Sequence, residues 1–331
     1  MTMMKGSMNL SFWCENYYPS RLVTQRVLKL ITQYNIDLIL ATRLDRLDDN
    51  MCTLIRALID VDGILGVWVL LDEKFGYWPN IQNARLFRAT IARICEWLFG
   101  KNLEIRHIVF DLEPPIFITR SISRLRADLL HVFSYMKKCI KYHDKNILYF
   151  HEAADLVRSY GASVFVVVPD FLFEMDEKVA IEFSRILGIP VFDIGFDVIS
   201  TMTYNSIIHG LFKVPYGVLR YRMYRVMRNC IEKYGAGYVP SIGAIWRGIL
   251  GNEPIYSSPK EISRDVSIIK YLGINRVLVY NFEGILNRRN EGEWLGAMIN
   301  TKPARPKESI TYEIFRRIMK EHAKRIIDIF K

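Results

Sequence analysis

The sequence predicts an α/β protein of the (β/α)8 (TIM) barrel class, with residues 1–331 in a single domain that carries loop insertions. Three observations lead to this prediction. Eight short apolar runs alternate with longer amphipathic patterns, glycine or proline stands at several of the boundaries, and no composition break divides the chain. A chain of 331 residues also has the length of such a barrel with insertions.

The strands are predicted from short runs rich in Val, Ile, Leu and aromatic residues, which are typical of strands buried on both faces. In chain order they are Asn9–Cys14, Ile36–Ala41, Leu65–Leu71, Arg106–Phe110, Ser163–Val168, Val198–Tyr204, Tyr238–Ala244 and Arg276–Phe282. Their alternation with helical patterns favours parallel strands joined by crossover helices. An open, doubly wound sheet is the alternative, but no GxGxxG or GxxxxGK[ST] motif follows any of these runs.

The helices are predicted from apolar residues that recur at intervals of three and four. They are Arg21–Gln33, Leu47–Asp60, Ala84–Leu98, Ser121–Lys141 with Ile147–Ser159, Glu177–Leu187, Val218–Lys233, Lys260–Leu272 and Ile310–Ile329. Ser258-Pro259-Lys260-Glu261 has the pattern of a capping box, and Gly273 stands where a left-handed C-cap is expected. The charged segment Asn287–Ser309 is interpreted as a long loop, which is either a lid or subsite wall or a disordered connector.

Composition bears on the compartment and on cofactors. No run approaches the roughly 20 apolar residues that span a bilayer, and the N-terminus lacks the apolar core of a secretory signal. We therefore expect a soluble, cytoplasmic protein with no membrane partner. The five cysteines are scattered without CxxC spacing, which favours reduced, buried thiols and no metal site. Abundant Ile, Arg, Lys and Glu with little Gln leads to the hypothesis of a thermostable protein.

The net charge of +10 gathers on two predicted helices. Their basic residues are Arg220, Arg222, Arg225, Arg228 and Lys233 on one, and Arg316, Arg317, Lys320, Lys324 and Arg325 on the other. Both helices also carry apolar stripes at helical spacing, Met223-Val226-Met227-Cys230 and Ile314-Phe315-Ile318-Met319. We interpret the charges as solvated outer faces and predict no nucleic-acid partner. The oligomeric state is not indicated by the sequence.

Polar and aromatic residues cluster at the predicted strand ends, where barrels of this class form their active sites. The candidates are Glu15, Asp72, Trp78, Asp111, Glu113, Met202, Tyr204, Asn205, Trp246, Tyr280 and Glu283. Carboxylates and aromatic rings dominate, and aromatic faces pack against sugar rings, so we predict a carbohydrate substrate. The six histidines form neither HxH nor HExxH, and GxSxG is absent. A metal-dependent hydrolase and a serine triad are therefore disfavoured, and no cofactor is predicted.

The segment Asp111-Leu112-Glu113 closes the fourth apolar run. Because side chains alternate along a strand, Asp111 and Glu113 are expected to point the same way while Leu112 faces the opposite layer. Two acids in this arrangement suit a general acid and an orienting carboxylate in glycosidic chemistry. The alternative is a strand that ends in a polar turn, with both carboxylates neutralised by nearby Arg or Lys.

Two segments resemble a known family. Ile108–Glu113 resembles the end of the DxxDxDxE signature of glycoside hydrolase family 18, the chitinase and endo-N-acetylglucosaminidase barrels, and Met202-Thr203-Tyr204-Asn205 resembles its sixth-strand motif. The resemblance implies that Glu113 is the general acid, that Asp111 orients the substrate's N-acetyl group and that Tyr204 donates a hydrogen bond to it. Hydrolysis would be retaining and substrate-assisted. Arg106 and Val109 stand where the family has two further aspartates.

Two other interpretations stay open. Leu112-Glu113-Pro114 also resembles the Asn-Glu-Pro turn of a large clan of glycosidases that use a carboxylate nucleophile. The usual strand-seven glutamate is missing, so Glu283 or Asp72 would have to replace it. The third interpretation is a barrel that binds a saccharide or a protein without catalysis.

Overall fold

A computed structural model of the chain describes residues 8–123, 129–288 and 290–330. Eight parallel strands form a closed barrel in the order β1 to β8, which confirms the predicted fold class. The strands are β1 Asn9–Cys14, β2 Ile36–Thr42, β3 Ile64–Val69, β4 His107–Asp111, β5 Ser163–Pro169, β6 Val198–Thr203, β7 Ser241–Gly243 and β8 Arg276–Tyr280.

Helices follow every strand in the chain. They are α1 Pro19–Leu22, α2 Gln25–Tyr34, α3 Asp49–Asp60, α4 Ala84–Gly100, α5 Ile116–Ser123, α6 Leu129–Ser159, α7 Glu177–Ile186, α8 Asn205–Phe212, α9 Tyr216–Tyr234, α10 Pro259–Tyr271, α11 Phe282–Leu286, α12 Glu291–Asn300 and α13 Ile310–Phe330. Within the described part of the chain, no helix is both long and apolar enough to cross a membrane.

The chain divides into two compact units. The first comprises Met1–Ala41, Asp49–Leu65 and Thr201–Glu313, and the second Thr42–Asp48, Gly66–Ser200 and Ile314–Lys331. In the first unit, β1 pairs in register with β2 on one side and with β8 on the other. In the second, β4 pairs with β5 along its whole length. The assignment of residues 1–331 to one domain stays a prediction.

The predicted strands are all present, but four of them are shorter than predicted: β3 and β6 by one residue, β8 by two and β7 by four. β7 is limited to Ser241–Gly243, because Pro240 before it has no N–H to give to a neighbouring strand. β8 ends at Tyr280, because Asn281 leaves the ladder to cap α11 and accepts a hydrogen bond from the backbone N–H of Gly284.

Two of the helical predictions differ from the structure in the number of helices, whereas the other predicted helices agree with it to within two residues at each end. The predicted helix Arg21–Gln33 is two helices, because Thr24 interrupts the first and caps α2 through the N–H of Val27. The predicted pair Ser121–Lys141 and Ile147–Ser159 is replaced by one continuous α6, since no helix-breaking residue separates them. Residues 124–128 of that prediction lie outside the described residues.

The segment Asn287–Ser309 is not a structureless connector over its described length, which excludes only Arg289. It contains α12, and Trp294 on that helix is 2 % exposed. The guanidinium carbon of Arg288 lies 4.2 Å from the centroid of the Trp294 ring. This ring and α12 therefore belong to the packed part of the first unit.

The two apolar stripes have different outcomes. Met223-Val226-Met227-Cys230 of α9 is fully buried, as its spacing suggests. On α13, however, Ile314 and Phe315 are about half exposed, and the buried positions are Tyr312, Ala323 and Ile327. α13 therefore packs through a face other than its most apolar one.

Candidate active site

The carboxyl end of β4 carries the predicted acid pair. The ring of Phe110 lies edge-on to Phe87 of α4, with ring centroids 4.8 Å apart, so Phe110 faces the helix layer. Because side chains alternate along a strand, Val109 and Asp111 face the barrel interior. Asp111 is 4 % exposed.

Glu113 continues this alternation beyond the end of β4. The N–H of Leu112 donates to the carbonyl of Val167 at 2.8 Å, so the ladder with β5 extends one residue past Asp111. Leu112 is fully buried while Glu113 is half-buried. Glu113 is therefore on the same side of the chain as Asp111, with partial access to solvent.

The turn after Glu113 is held by the loop that follows β3. The N–H of Ile116 donates to the carbonyl of Gly76 at 2.9 Å. Gly76 has φ = 106°, and a Cβ at this position would lie 3.3 Å from the Cβ of Pro115. The left-handed backbone and the close approach both favour glycine here. These contacts fix the conformation of the turn that follows Glu113.

The same loop places two other candidates. Asp72 is exposed and lies 3.7 Å from the ammonium group of Lys74. Trp78 is 5 % exposed and packs edge-on against Tyr77, with ring centroids 5.3 Å apart. Asp72 is thus accessible to solvent, whereas most of the Trp78 ring is covered by protein.

At the end of β6, in the first unit, the members of the predicted motif point to opposite sides. Met202 and Tyr204 are half-buried and alternate with Thr201 and Thr203, which are fully buried. Asn205 opens α8 and is fully buried as well. The same alternation that turns Tyr204 inward turns Asn205 towards the helices.

Asn205 belongs to a buried polar cluster around Asp265 of α10. The Asp265 carboxylate accepts hydrogen bonds from the Asn205 amide at 2.9 Å, the Tyr256 hydroxyl at 2.6 Å and the Arg220 guanidinium at 2.8 Å. Asp265 has no exposed surface, and burial next to this carboxylate raises the pKa of the Tyr256 hydroxyl. Asn205 thus ties α8 to α10, and its predicted contact with a substrate stays a prediction.

Tyr204 and Tyr280 form a stacked pair in the first unit. Their ring centroids are 5.5 Å apart with an angle of 22° between the planes. The Tyr280 hydroxyl donates to the carboxylate of Glu15 at 2.5 Å, and Glu15 is 2 % exposed. Burial, and secondly the charge of Glu15, raise the pKa of Tyr280. Tyr280 is therefore a neutral donor to an acidic partner.

The Tyr204 hydroxyl has a second neighbour on β7. Its oxygen lies 3.2 Å from the hydroxyl oxygen of Ser241, and that oxygen also accepts the indole N–H of Trp13 at 2.9 Å. Ser241 is fully buried and Trp13 is 2 % exposed. Neither residue is among the sequence-based candidates. Strand parity could have indicated Trp13, because it lies two residues before Glu15 on the same side of β1.

Glu283 of α11 holds the turn after β1. One of its carboxylate oxygens accepts the backbone N–H groups of Glu15 and Asn16, at 2.7 and 2.8 Å. Its second oxygen is buried without a hydrogen-bond partner among the described residues. Burial is the main cause that raises the pKa of Glu283 to about 7; the charge of Glu15 adds to this, while the backbone hydrogen bonds oppose it.

The loop between β7 and α10 covers the Tyr280–Glu15 pair. A Cβ on Gly248 would lie 1.6 Å from the Tyr280 hydroxyl oxygen and 2.9 Å from a carboxylate oxygen of Glu15, so only glycine fits there. Glu253 of the same loop is 8 % exposed and accepts the N–H of Leu250 at 2.8 Å. The tripeptide Asn252-Glu253-Pro254 has the letters of an Asn-Glu-Pro turn but lies well past the predicted seventh strand, and the proximity of Glu253 to Tyr280 could not be predicted from it.

Trp246 is the accessible aromatic residue of this loop, with 38 % of its surface exposed. The segment before it is held at Ile245, whose carbonyl accepts a hydrogen bond from the Arg288 guanidinium at 3.1 Å and whose N–H donates to the carbonyl of Tyr280 at 2.7 Å.

In residues 8–123, 129–288 and 290–330, no group of three or more His, Cys, Asp and Glu side chains could hold a metal ion.

Comparisons with solved structures find similar barrels. The AHE enzyme from Alicyclobacillus herbarius has a TM-score of 0.53 at 10% identity, over 85% of this chain and 90% of that one. The PgaB (BpsB) glycoside hydrolase domain from Bordetella bronchiseptica has a TM-score of 0.51 at 11% identity, over 88% and 99%. A family 18 chitinase from Pseudoalteromonas aurantia has a TM-score of 0.49 at 9% identity, over 88% and 99%.

At these identities the similarity shows the fold. The chain shares its barrel with a glycoside hydrolase domain, which confirms the fold that the resemblance to family 18 implies. No family model and no curated protein sequence matches the chain.

Proposed function

We propose that the protein is a retaining glycosidase that hydrolyses N-acetylhexosamine-containing glycans with assistance from the substrate. Glu113 is the general acid, Asp111 orients the acetamido group and Tyr204 donates a hydrogen bond to the acetamido carbonyl. The acetamido oxygen serves as the nucleophile in place of a second carboxylate of the enzyme.

The observation that carries this proposal is the placement of the two acids. Phe110 packs on α4, and its outward orientation, together with side-chain alternation, supports an interior position for Asp111 and Glu113 at the carboxyl end of β4. Barrels of this class form their active sites at that end. Asp111 is buried and Glu113 half-buried, so the outer acid can meet a leaving-group oxygen while the inner one holds another group.

The alternative with an enzyme nucleophile receives less support. A nucleophilic carboxylate must be ionised and free to attack, whereas one oxygen of Glu283 accepts two backbone N–H groups and burial raises the pKa of this residue to about 7. Asp72 is exposed next to Lys74, so its environment is that of an ordinary surface carboxylate. Neither environment has the features of an activated nucleophile.

The charge distribution supports a saccharide rather than a nucleic-acid partner. Three arginines of the basic helix α9 are engaged in ion pairs: Arg220 with Asp265, Arg225 with Glu313 and Arg228 with Glu232. Arginines paired in this way are less available to phosphates than an unpaired basic stripe would be. The exposed ring of Trp246 is available as a platform for a sugar.

Hydrolysis of fluorogenic mono-, di- and trisaccharides of N-acetylglucosamine tests the proposal. Wild type is expected to release the fluorophore, and Glu113→Gln to lose about 10² to 10⁴ in rate, the usual contribution of a general acid. Glu96→Gln removes an exposed carboxylate from α4 and serves as the matched control. Full activity of Glu113→Gln would exclude this residue as the acid. Inactivity of both proteins, with saccharide binding retained, would favour the non-catalytic barrel.

A second experiment separates the two glycosidase mechanisms. A thiazoline that mimics the cyclised intermediate should inhibit the enzyme, and Glu283→Gln should keep most of the wild-type rate because glutamine can still accept the two backbone N–H groups. Inactivity of Glu283→Gln, together with no inhibition by the thiazoline, would contradict substrate assistance and favour Glu283 as the nucleophile.

A further inference from the structure

We propose that Ser241 and Trp13 are positioning residues that fix the direction in which the Tyr204 hydroxyl donates its hydrogen. The importance of that direction for catalysis rests on the proposed function. The inference itself rests on three groups that lie in a row in the first unit: the buried Trp13 and Ser241 and the half-buried Tyr204.

The direction follows from the hydrogen-bonding capacity of each group. The indole N–H of Trp13 can only donate, so the Ser241 oxygen must accept from it at 2.9 Å. A serine hydroxyl also has one hydrogen to donate, and the Tyr204 oxygen at 3.2 Å is the acceptor that the described residues offer to it. Ser241 is fully buried, where a hydroxyl hydrogen without an acceptor is destabilising. The favoured arrangement is therefore Trp13 to Ser241 to Tyr204.

In this arrangement Tyr204 accepts from Ser241 and directs its own hydrogen to a group other than Ser241. The opposite arrangement, with Tyr204 as the donor to Ser241, would leave the Ser241 hydrogen without a partner and would use up the Tyr204 hydrogen. The indole N–H therefore influences Tyr204 through Ser241: because a hydroxyl that accepts a hydrogen bond becomes a stronger donor, the Trp13 bond biases the serine towards donation.

The ring of Tyr204 is held independently of its hydroxyl. It stacks on the ring of Tyr280, whose hydroxyl donates its hydrogen to the carboxylate of Glu15 at 2.5 Å. The stack fixes the plane of the Tyr204 ring, while Ser241 fixes one of the bonds to its oxygen. Together they leave little freedom for the direction of the Tyr204 O–H, which is the kind of preorganisation that an enzyme uses to bind a developing charge or a reactive carbonyl.

A donor with a fixed direction distinguishes between substrates. A carbonyl oxygen can only accept, so an N-acyl group matches the Tyr204 hydroxyl. The ammonium group of an N-deacetylated hexosamine can only donate, and two donors would face each other. We infer that Ser241 and Trp13 contribute to a preference for N-acylated over N-deacetylated hexosamines.

A double-mutant cycle tests whether Ser241 acts through Tyr204. Ser241→Ala should lower kcat on an N-acetylglucosamine substrate by about tenfold, the equivalent of one hydrogen bond, with KM changed by less than about twofold. In a Tyr204→Phe background the same substitution should cause no further fall, and Ser241→Thr, which restores a hydroxyl, should keep most of the wild-type kcat. Ser200→Ala is the matched control, because Ser200 of β6 is fully buried and its hydroxyl has no partner among the described residues. Equal losses in both backgrounds would show a general structural role and overturn the inference.

Trp13→Phe provides a second variant of the same test, in case Ser241→Ala does not fold. Without the indole N–H, the Ser241 hydroxyl is a weaker donor and is less strongly biased towards Tyr204, so kcat should fall while Ser241 is present and should not fall further in a Ser241→Ala background. A loss of kcat that is independent of Ser241 would overturn the inference.

The direction of the bond can also be measured without turnover, which separates this inference from the proposed function. The Raman ring doublet of tyrosine distinguishes an accepting phenol from a donating one, and the wild-type minus Tyr204→Phe difference spectrum isolates Tyr204. We expect accepting character that disappears in Ser241→Ala. A purely donating Tyr204 that is insensitive to Ser241→Ala would overturn the inference, whatever the activity. Accepting character in a protein that hydrolyses no N-acetylglucosamine substrate would refute only the proposed function.

Discussion

Substituting Glu283 by glutamine should remove a pH dependence from the stability of the barrel. In the folded protein the pKa of Glu283 is about 7, raised mainly by burial, against an ordinary value of 4.5. Below pH 4.5 both the folded and the unfolded chain hold the proton, so the group contributes no difference. Between pH 4.5 and about 7 the unfolded chain releases the proton while the folded protein keeps it, and the free energy of unfolding therefore falls as the pH rises.

The size of the effect follows from the two pKa values. The difference between 4.5 and about 7 is equivalent to roughly 3 kcal/mol of unfolding free energy, most of which develops between pH 5 and pH 8. Glutamine cannot ionise, but its carbonyl oxygen can accept the N–H groups of Glu15 and Asn16 as the carboxylate does. Its NH2 group takes the place of an oxygen that has no hydrogen-bond partner among the described residues, which adds a cost that does not depend on pH.

The assay is urea unfolding followed by circular dichroism at pH 5 and pH 8. The stability of Glu283→Gln relative to wild type should rise by roughly 2 to 3 kcal/mol between the two pH values, whatever the offset at pH 5. Glu96→Gln removes a negative charge from the exposed face of α4 and reports the general effect of such a loss. Parallel curves for wild type and Glu283→Gln would refute the assignment of the pH dependence to this carboxylate.

Two further substitutions test the packing around the candidate site. Gly248→Ala should destabilise the protein by about 1–3 kcal/mol in urea unfolding, because the new methyl group would overlap the hydroxyl of Tyr280 and force the loop away. Asp265→Ala should cost about 3–5 kcal/mol by the same measurement, because it leaves the Arg220 guanidinium and two other donors without their buried acceptor.

Each of these predictions has a control in the same region of the chain. Gly217 of α9 has open space around its Cβ position, so Gly217→Ala should be neutral or stabilising. Glu232→Ala removes the partner of Arg228 from a pair in which both side chains are more than half exposed, and it should change stability little. If Gly248→Ala were as harmless as Gly217→Ala, the loop would not be packed on Tyr280 as described. If Asp265→Ala were as mild as Glu232→Ala, the buried cluster would not hold the helices together.

The fold could be predicted from the sequence because most strands are buried, nearly continuous apolar runs bounded by residues that stop them. Ser163–Pro169 and Asn9–Cys14 illustrate this, since almost every position in them is buried. Helix boundaries were harder to predict where one polar residue determines whether an element continues or a new helix begins. Thr24 divides one predicted helix into two, and Asn281 ends β8 by capping α11. Such capping choices depend on the direction in which the chain must leave the barrel, which local patterns do not contain.

Part of the candidate site could be predicted from the sequence. Strand parity correctly groups Asp111 with Glu113 and separates both from Leu112, because alternation is a local property of the backbone. The buried ladder from Trp13 through Ser241 joins residues 228 positions apart in the chain, and no local signal links them. The contact of Gly248 with Tyr280 likewise depends on the path of a loop.

The exposed stripe of α13 shows a further limit of sequence patterns. Helical spacing identifies Ile314-Phe315-Ile318-Met319 as one face, yet the helix packs through Tyr312, Ala323 and Ile327. Periodicity tells which residues share a face, but it does not tell which face meets the rest of the protein.

The role of Glu113 is tested most directly by the dependence of its loss on the leaving group. A general acid protonates the departing oxygen, so its removal matters most when that oxygen is a poor leaving group. With a trisaccharide of N-acetylglucosamine, Glu113→Gln should lose about 10² to 10⁴ in kcat/KM, whereas with a dinitrophenyl glycoside of the same sugar it should lose far less. Equal losses on the two substrates in a folded protein, or no loss on either, would contradict the assignment of Glu113 as the acid.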